Sequence, residues 1–416
     1  MIISSMSKKE KLRPEKSYLE AITDKIGEIA MHYGFSVIKP PEICDEDIQK
    51  HKQFKDFDHH QDTLEKIALT RWYMNERMDL EAQPVTIHYK KPFPGHFDKR
   101  KTGTEIYGFE IMGSFKPTSE ALLIKCVLAI LEECGYKDLF IDINSIGDKE
   151  SIAKFERELN NHFRKQAHTI SAKIRQEFKK NHHLMLMDTR AETIDFRKNV
   201  PQPIGFLSEN SRLHFKEVLE YVETFDTIYK IKPSILANRL YASNTVFEIR
   251  KPKNSPRQDK FTSIIEEDGG ELLAYGYRYN HLAKKIGGKR EIPSVGVTLF
   301  IKRNPKMAKK ISVEKIKRPR LYLAQLGPLA KLKSLHIVER LRKHKIPVYH
   351  SITKDKITGQ LSGAEYMGAS HVLIMGQKEA VDNTVIVRDV ISREQETVFL
   401  DELCDFLKKH LKKQTG

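Results

Sequence analysis

Lysine and arginine crowd one stretch of this chain, and in number these residues do one kind of chemistry: they hold phosphate. Residues 284–320 contain thirteen Lys or Arg against two acids, Glu291 and Glu314. The densest part is Lys302-Arg-Asn-Pro-Lys-Met-Ala-Lys-Lys-Ile-Ser-Val-Glu-Lys-Ile-Lys-Arg-Pro-Arg320. Lys306, Lys309, Lys310, Lys315, Lys317, Arg318 and Arg320 are the candidate contacts there, giving affinity without sequence information. Metal chemistry has weaker support. Asp58-His59-His60 and His182-His183 hold ligating side chains, but no carboxylate or cysteine at ligand spacing closes a site, so both read as solvated loops. The cysteines, Cys44, Cys126, Cys134 and Cys404, form no C-x-x-C pair, which argues against a zinc ribbon. No metal site is expected.

The whole chain agrees with a polyanionic partner. Formal net charge is +16 over 416 residues, with a pI near 9.4, an excess that favours nucleic acid over a merely solvated surface. A 39% apolar and 31% charged composition fits a globular protein of two or three domains. The N-terminus, Met1-Ile-Ile-Ser-Ser-Met-Ser-Lys-Lys, has no long apolar run, and no stretch reaches the ~18 apolar residues of a membrane helix. A cytoplasmic protein with no membrane partner is the expectation.

The elements that must position these residues are legible from pattern. Leu19, Ile22, Ile26, Ile29 and Ala30 have helical spacing, stopped by Gly34. Phe35-Ser-Val-Ile38 reads as a short strand halted by Pro40-Pro41. Val85–Tyr89 and Tyr107–Met112 read as strands around the basic loop Lys90–Gly103, and a helix follows over Thr118–Cys134, with Thr118 or Ser119 as its cap. Phe140–Asp148 is a strand running into a turn, and residues 149–234 are helical and highly charged. Sheet returns over Leu236–Arg303, where Thr245–Ile249 and Val295–Ile301 are rich in β-branched and aromatic residues and Gly287-Gly288 marks a turn. From 319 to 410 strands and helices alternate, implying a mixed, mostly parallel sheet covered by helices.

The order of these blocks resembles the catalytic core of class II aminoacyl-tRNA synthetases, and most closely the histidyl-tRNA synthetase family. Phe140-Ile-Asp-Ile-Asn-Ser-Ile-Gly-Asp148 is similar to the family's "INSLGD" block, and Glu110 to the acid of "QFGVE". Gly296 and Arg303 match the ends of "G-x-x-x-x-x-E-R", with Lys302 in place of its Glu. Gly368-Ala369, Ile374-x-Gly376, Val387-Arg-Asp389 and Gln395 resemble the anticodon-binding domain shared by the histidyl, threonyl, prolyl and glycyl enzymes. The resemblance implies an α+β fold. It places a class II synthetase-like core over 1–148 and 236–303 and a helical insertion over 149–235. A basic linker over 304–318 and an anticodon-binding-like α/β domain over 319–416 complete it. It also implies a homodimer built through the helix–Gly34–strand–Pro40 block, and tRNA as partner, with bases read around Lys354 to Gln360.

Several positions that carry the family's chemistry hold other residue types. Aligning Pro92-Phe-Pro-Gly95 with "RPQ-x-G" puts His88 where an arginine holds the ATP α-phosphate, and Lys90 where an acid follows. Arg71 is followed by Trp72 and Tyr73, without the acid of "RPEGT" that helps hold the amino acid's ammonium. "RGLDYY" falls on Ala237, Asn238, Arg239, Leu240, Tyr241 and Ala242, and a substrate-holding Gln on Ile106. Losing one such electrostatic contact costs roughly 3–4 kcal/mol of barrier. The expected reading is a tRNA-binding homologue with lost or weakened aminoacylation, with Glu110, Tyr241 and Arg303 as residual family positions and Arg303 placed to touch a nucleotide. No cofactor is expected, or ATP with Mg if catalysis is retained. The alternatives are a divergent but active histidine–tRNA ligase, and a regulatory subunit binding histidine or a partner enzyme; residues 319–410 argue against the last.

Overall fold

The computed structural model describes residues 19–54, 62–91, 103–252, 270–316 and 319–413. Its centre is an eight-stranded sheet in the order β2-β3-β4-β9-β8-β7-β5-β6. These strands are β2 (Ser36–Val37), β3 (Val85–Lys90), β4 (Thr104–Met112), β5 (Phe140–Ser145), β6 (Ile228–Ile231), β7 (Ser243–Lys251), β8 (Glu271–Arg278) and β9 (Ser294–Lys302). Pairing is antiparallel from β3 through to β5, and parallel at the outer pairs β2–β3 and β5–β6.

Side chains alternate across each strand, so the sheet has two different faces. Tyr107, Phe109, Ile111, Val295, Val297 and Leu299 join the large apolar core on one side. Helices α1 (Lys25–His32), α4 (Thr118–Glu133) and α9 (Glu209–Glu223) pack there. The α4 helix is buried almost all round, because it is covered by the sheet, by α1 and α9 and by a helix of the C-terminal domain. Pro117 occupies its cap position without a side-chain cap; Ser119 is one residue inside and donates to the Ser114 hydroxyl at 2.9 Å. Arg278 of β8 reaches the first turn of α4 and donates to Glu120 at 2.8 Å, while His214 of α9 sits 2.6 Å from the same carboxylate. Burial alone would raise the Glu120 carboxyl, but Arg278 and His214 hold it down at about 2.

The opposite face receives α3 (Thr63–Asn75), which follows α2 (Asp45–His51). Neither helix stood out in the sequence. The segment expected as a helical insertion divides in two. Helices α5 (Lys149–Gln166), α6 (Ala172–Lys180), α7 (Leu184–Met187) and α8 (Ile194–Arg197) enclose a separate small core of Phe155, Leu159, Ile174, Phe178 and Phe196. By contrast α9 and β6 belong to the main sheet body. Leu282–Lys285 forms a short α10 before the Gly287 turn, where φ is +100°.

The C-terminal sheet has the order β12-β11-β13-β14-β15. Its strands are β11 (Leu321–Gln325), β12 (Val348–His350), β13 (His371–Met375), β14 (Thr384–Asp389) and β15 (Gln395–Phe399). Only the junctions of β11 with β12 and β13 are parallel, so the mostly parallel sheet expected from alternation is half antiparallel. The antiparallel junctions are β13–β14, joined through the short helix Gln377–Asp382, and β14–β15, which folds back with no helix between its strands. Helices α11 (Pro328–Lys343), α12 (Ile357–Tyr366), α13 (Gln377–Asp382) and α14 (Leu403–Lys413) complete the domain.

The two bodies touch closely. The Tyr33 hydroxyl donates to Glu339 at 2.5 Å, Arg342 donates to Glu133 at 2.9 Å, and Lys116 pairs with Asp355 at 2.6 Å. Gly34 has φ +84°, a backbone region that favours glycine, and a Cβ there would stand 3.4 Å from the His350 ring, an ordinary contact. Over its described residues, 304–316, the basic segment is not a loose tether. Ile311–Ser312 forms β10, paired antiparallel with β1 (Ile22–Thr23), and Met307 accepts from the Lys25 N–H at 3.0 Å. Among the described residues no helix is long and apolar enough to cross a membrane.

Candidate functional site

Glu110 is the centre of the second sheet face. Its strand register sets it opposite Ile87 and Gly296, away from the helix-covered side. The first turns of α3 bring Lys66 down onto it, and the two form an ion pair with side-chain exposures of 0% and 1%. Tyr89 donates to the carboxylate at 3.2 Å and Tyr279 at 2.8 Å. The Lys66 ammonium also lies 5.2 Å from the Tyr279 ring centre and 5.9 Å from that of Tyr277. Burial works against the charge on Lys66, but Glu110, Asp62 and Glu65 outweigh it and raise its pKa.

Gly296 completes the floor. A Cβ there would fall 1.8 Å from Glu110 Oε2 and 2.5 Å from Lys66 Nζ, so a glycine is required for the pair to close. A second layer extends sideways. Tyr277 donates to Asp62 at 2.7 Å, Tyr241 lies 3.1 Å from Tyr277 through their hydroxyls, and Thr63 lies 2.8 Å from Tyr241. Lys91 comes to the same face, pairing with Glu65 at 2.5 Å and donating to Thr298 at 3.1 Å.

The geometry turns two of the aligned positions away from this network. His88 pairs with Phe109 in register and so points to the helix side, stacked on the Phe109 ring at 4.7 Å. Burial pushes its pKa down to about 4. Tyr89 and Lys91 are the residues that this strand and its extension turn to the Glu110 face. Likewise Arg71 pairs with Asp47 at 2.8 Å, and Tyr73 donates to Gln83 at 3.0 Å, on turns of α3 away from the network. The acids that face Lys66 are Asp62 and Glu65 from the start of that helix, together with Glu110.

Of the expected family positions, the structure joins Glu110 and Tyr241 through Lys66, Tyr277 and Tyr279. Arg303 stands apart: it follows the end of β9, seven residues beyond Gly296 and so about 23 Å along the strand. It is exposed, and its N–H donates to Gly103 at 2.7 Å. Ala237 and Leu240 put no charge into the network, and Asn238 spends its side chain on the Phe54 carbonyl and the Leu240 N–H. Ile106 lies on the Glu110 side of β4.

Among the expected RNA contacts, Lys306, Lys309, Lys310, Lys315 and Arg320 are exposed, and Lys354 is half-buried. Lys317 and Arg318 lie outside the described residues, as does Asp58-His59-His60. Gln360 is corrected. It is fully buried, accepting from the Gln325 N–H at 3.0 Å and donating to the Gln325 carbonyl at 2.8 Å. Both ends of its amide hold β11 to α12, which leaves nothing to read a base. His183 lies 3.7 Å from the Glu156 carboxylate, and among the described residues no group of three or more His, Cys, Asp or Glu could hold a metal.

Residues 327–410 match the family model described as "Anticodon binding domain". Across nearly the whole length, the chain is 27% identical over 404 residues to the histidine–tRNA ligase of Fervidobacterium nodosum, covering 92% of each. It is 28% identical over 336 residues to that of Bacillus velezensis, covering 79% of this chain and 76% of the relative. Along most of its length the chain is similar to histidine–tRNA ligases, and its C-terminal body matches the anticodon-binding family model. The crystal structure of apo S. aureus histidyl-tRNA synthetase superposes loosely, with a TM-score of 0.48 and 22% identity over 92% of this chain and 94% of that one. These likenesses cover both bodies of the fold; in the buried Lys66–Glu110 pair the motif marks Glu110 but not Lys66.

Proposed function

We propose that this protein binds tRNA or tRNA-like RNA and makes no histidyl-adenylate. The observation that carries this reading is the buried Lys66–Glu110 pair. A site that activates an amino acid must offer an acid to the substrate ammonium and cations to the ATP phosphates. Here Glu110 is already satisfied by the chain's own ammonium and two tyrosine hydroxyls, and Lys91 is neutralised by Glu65. Ala237 and Leu240 leave developing charge without a partner. A second reading, a divergent but active ligase using ATP and Mg, is favoured by Lys91, a cation that does reach this face. ATP–pyrophosphate exchange decides between them. The expected result is no histidine-dependent exchange above a blank; clear histidine-dependent exchange establishes the ligase.

A homodimer belongs to the same proposal. Its support is the place of β2, which follows α1 and Gly34 and is the last strand of the main sheet, with only the short Leu19–Glu20 stretch bridged to its outer side among the described residues. Light scattering at micromolar concentration is expected to give twice 48.3 kDa, and a mass of one chain would exclude the dimer.

A further inference from the structure

A groove of about 530 Å³ runs between the two bodies, on the helix side of the main sheet and remote from Glu110. Its floor is apolar: Ile29 of α1, Ile311 of β10, Ile316 and Pro347. Its walls are cationic, with Lys25, Lys315, Arg342, Lys343 and Lys345 against two acids, Glu28 and Glu133. The ion pairs decide which charges are available. Lys25 is taken by Glu28 at 2.7 Å, Arg342 by Glu339 and Glu133, and Lys343 approaches Glu339 at 3.4 Å. Lys315 and Lys345 are exposed on the rim, and no ion pair to either is found among the described residues. Both acids of the lining are already matched, so the groove presents a net positive field with two uncommitted ammonium groups.

Two features select the occupant. Exposed Lys309 and Lys310 come next to it in the chain, leading directly into Ile311 of its floor. One aromatic ring, His32 of α1, stands in its lining, and it is half-buried, so the groove has no row of open rings on which successive bases would stack. A cationic groove with so little stacking surface suits backbone contact. We propose that the groove takes the sugar–phosphate backbone of an RNA strand, with Lys315 and Lys345 each facing a phosphate and the isoleucine floor under the riboses. This rests on the RNA-binding reading above and adds a surface to it, on the opposite side of the main sheet from the Glu110 network.

The test compares salt titrations of a labelled tRNA transcript for three proteins: the parent, Lys315→Gln with Lys345→Asn, and Lys309→Gln with Lys310→Gln. Asn suits position 345, where φ is +58°. Losing two phosphate contacts flattens the log–log salt slope by roughly 1.4–1.8. The groove variant is expected to show that flattening, with thermal unfolding unchanged and with loss of 4-thiouridine crosslinks to residues 311–316. A parent-like slope and affinity in the groove variant, with crosslinks retained elsewhere, overturns the groove and leaves the RNA reading intact. Absence of RNA binding by the parent overturns both. Displacement of the RNA from the parent but not from the groove variant by poly-glutamate, at charge-equivalent concentration, assigns the groove to an acidic protein and overturns the proposal.

Discussion

Glu110→Ala is expected to destabilise the protein by about 3–5 kcal/mol, the cost of leaving one member of a buried ion pair alone. The loss is large because Lys66 has no route to water: its side chain is enclosed beside Gly296 and under Tyr277 and Tyr279. Tyr89 and Tyr279 would also lose their acceptor. Replacing both partners is different in kind, since it removes the stranded charge. Lys66→Met with Glu110→Gln keeps an acceptor for the tyrosines and similar volume, and is expected to recover roughly half or more of the loss. Urea unfolding of the single and double variants measures both. If Glu110→Ala costs under about 1 kcal/mol, the pair is hydrated and the pocket floor is open, which removes the main support for a non-catalytic site.

Much of this site was legible in the sequence, but not its faces. Tyr275, Tyr277 and Tyr279 alternate, and period two alone puts them on one side of a strand. The strand–helix order of the C-terminal domain was equally plain, because its buried strands are short apolar runs between glycines and prolines. The α3 helix was hidden for a physical reason. Its buried face includes Thr63, Lys66 and Thr70 beside Ile67 and Leu69, so apolar periodicity does not mark it. The lysine at its heart reads as surface until Glu110, 44 residues away, is known to meet it. His88 shows a different limit. A one-residue offset in pairing turns a side chain to the other face, and a motif alignment carries no pairing register. Gln360 shows a third: a polar residue on a loop-proximal helix looks like a reader of bases until both amide ends are found engaged by one residue, Gln325.

Reversing Lys306, Lys309 and Lys310 to Glu is expected to weaken all tRNAs alike and to flatten the salt slope by roughly 2–3, at about 0.7–0.9 per phosphate lost. These lysines are exposed, yet the backbone beneath them is fixed. Met307 is buried and its carbonyl accepts from Lys25, and the chain then enters the β10–β1 pair. A charged segment held in place loses little conformational freedom on binding, so its phosphate contacts are made at small entropic cost. A freely moving lysine-rich tether would give the same net charge with weaker, more variable contacts. The reversal leaves that anchoring untouched, because none of the three side chains supplies a hydrogen bond to it. Affinity for several tRNAs, measured from 50 to 200 mM salt, separates the cases. A uniform loss with a shallower slope is the result of removed phosphate contacts. An unchanged slope would return the segment to a solvated surface. A loss confined to one tRNA would mean that these lysines touch bases, which point charges on flexible stems are poorly shaped to distinguish.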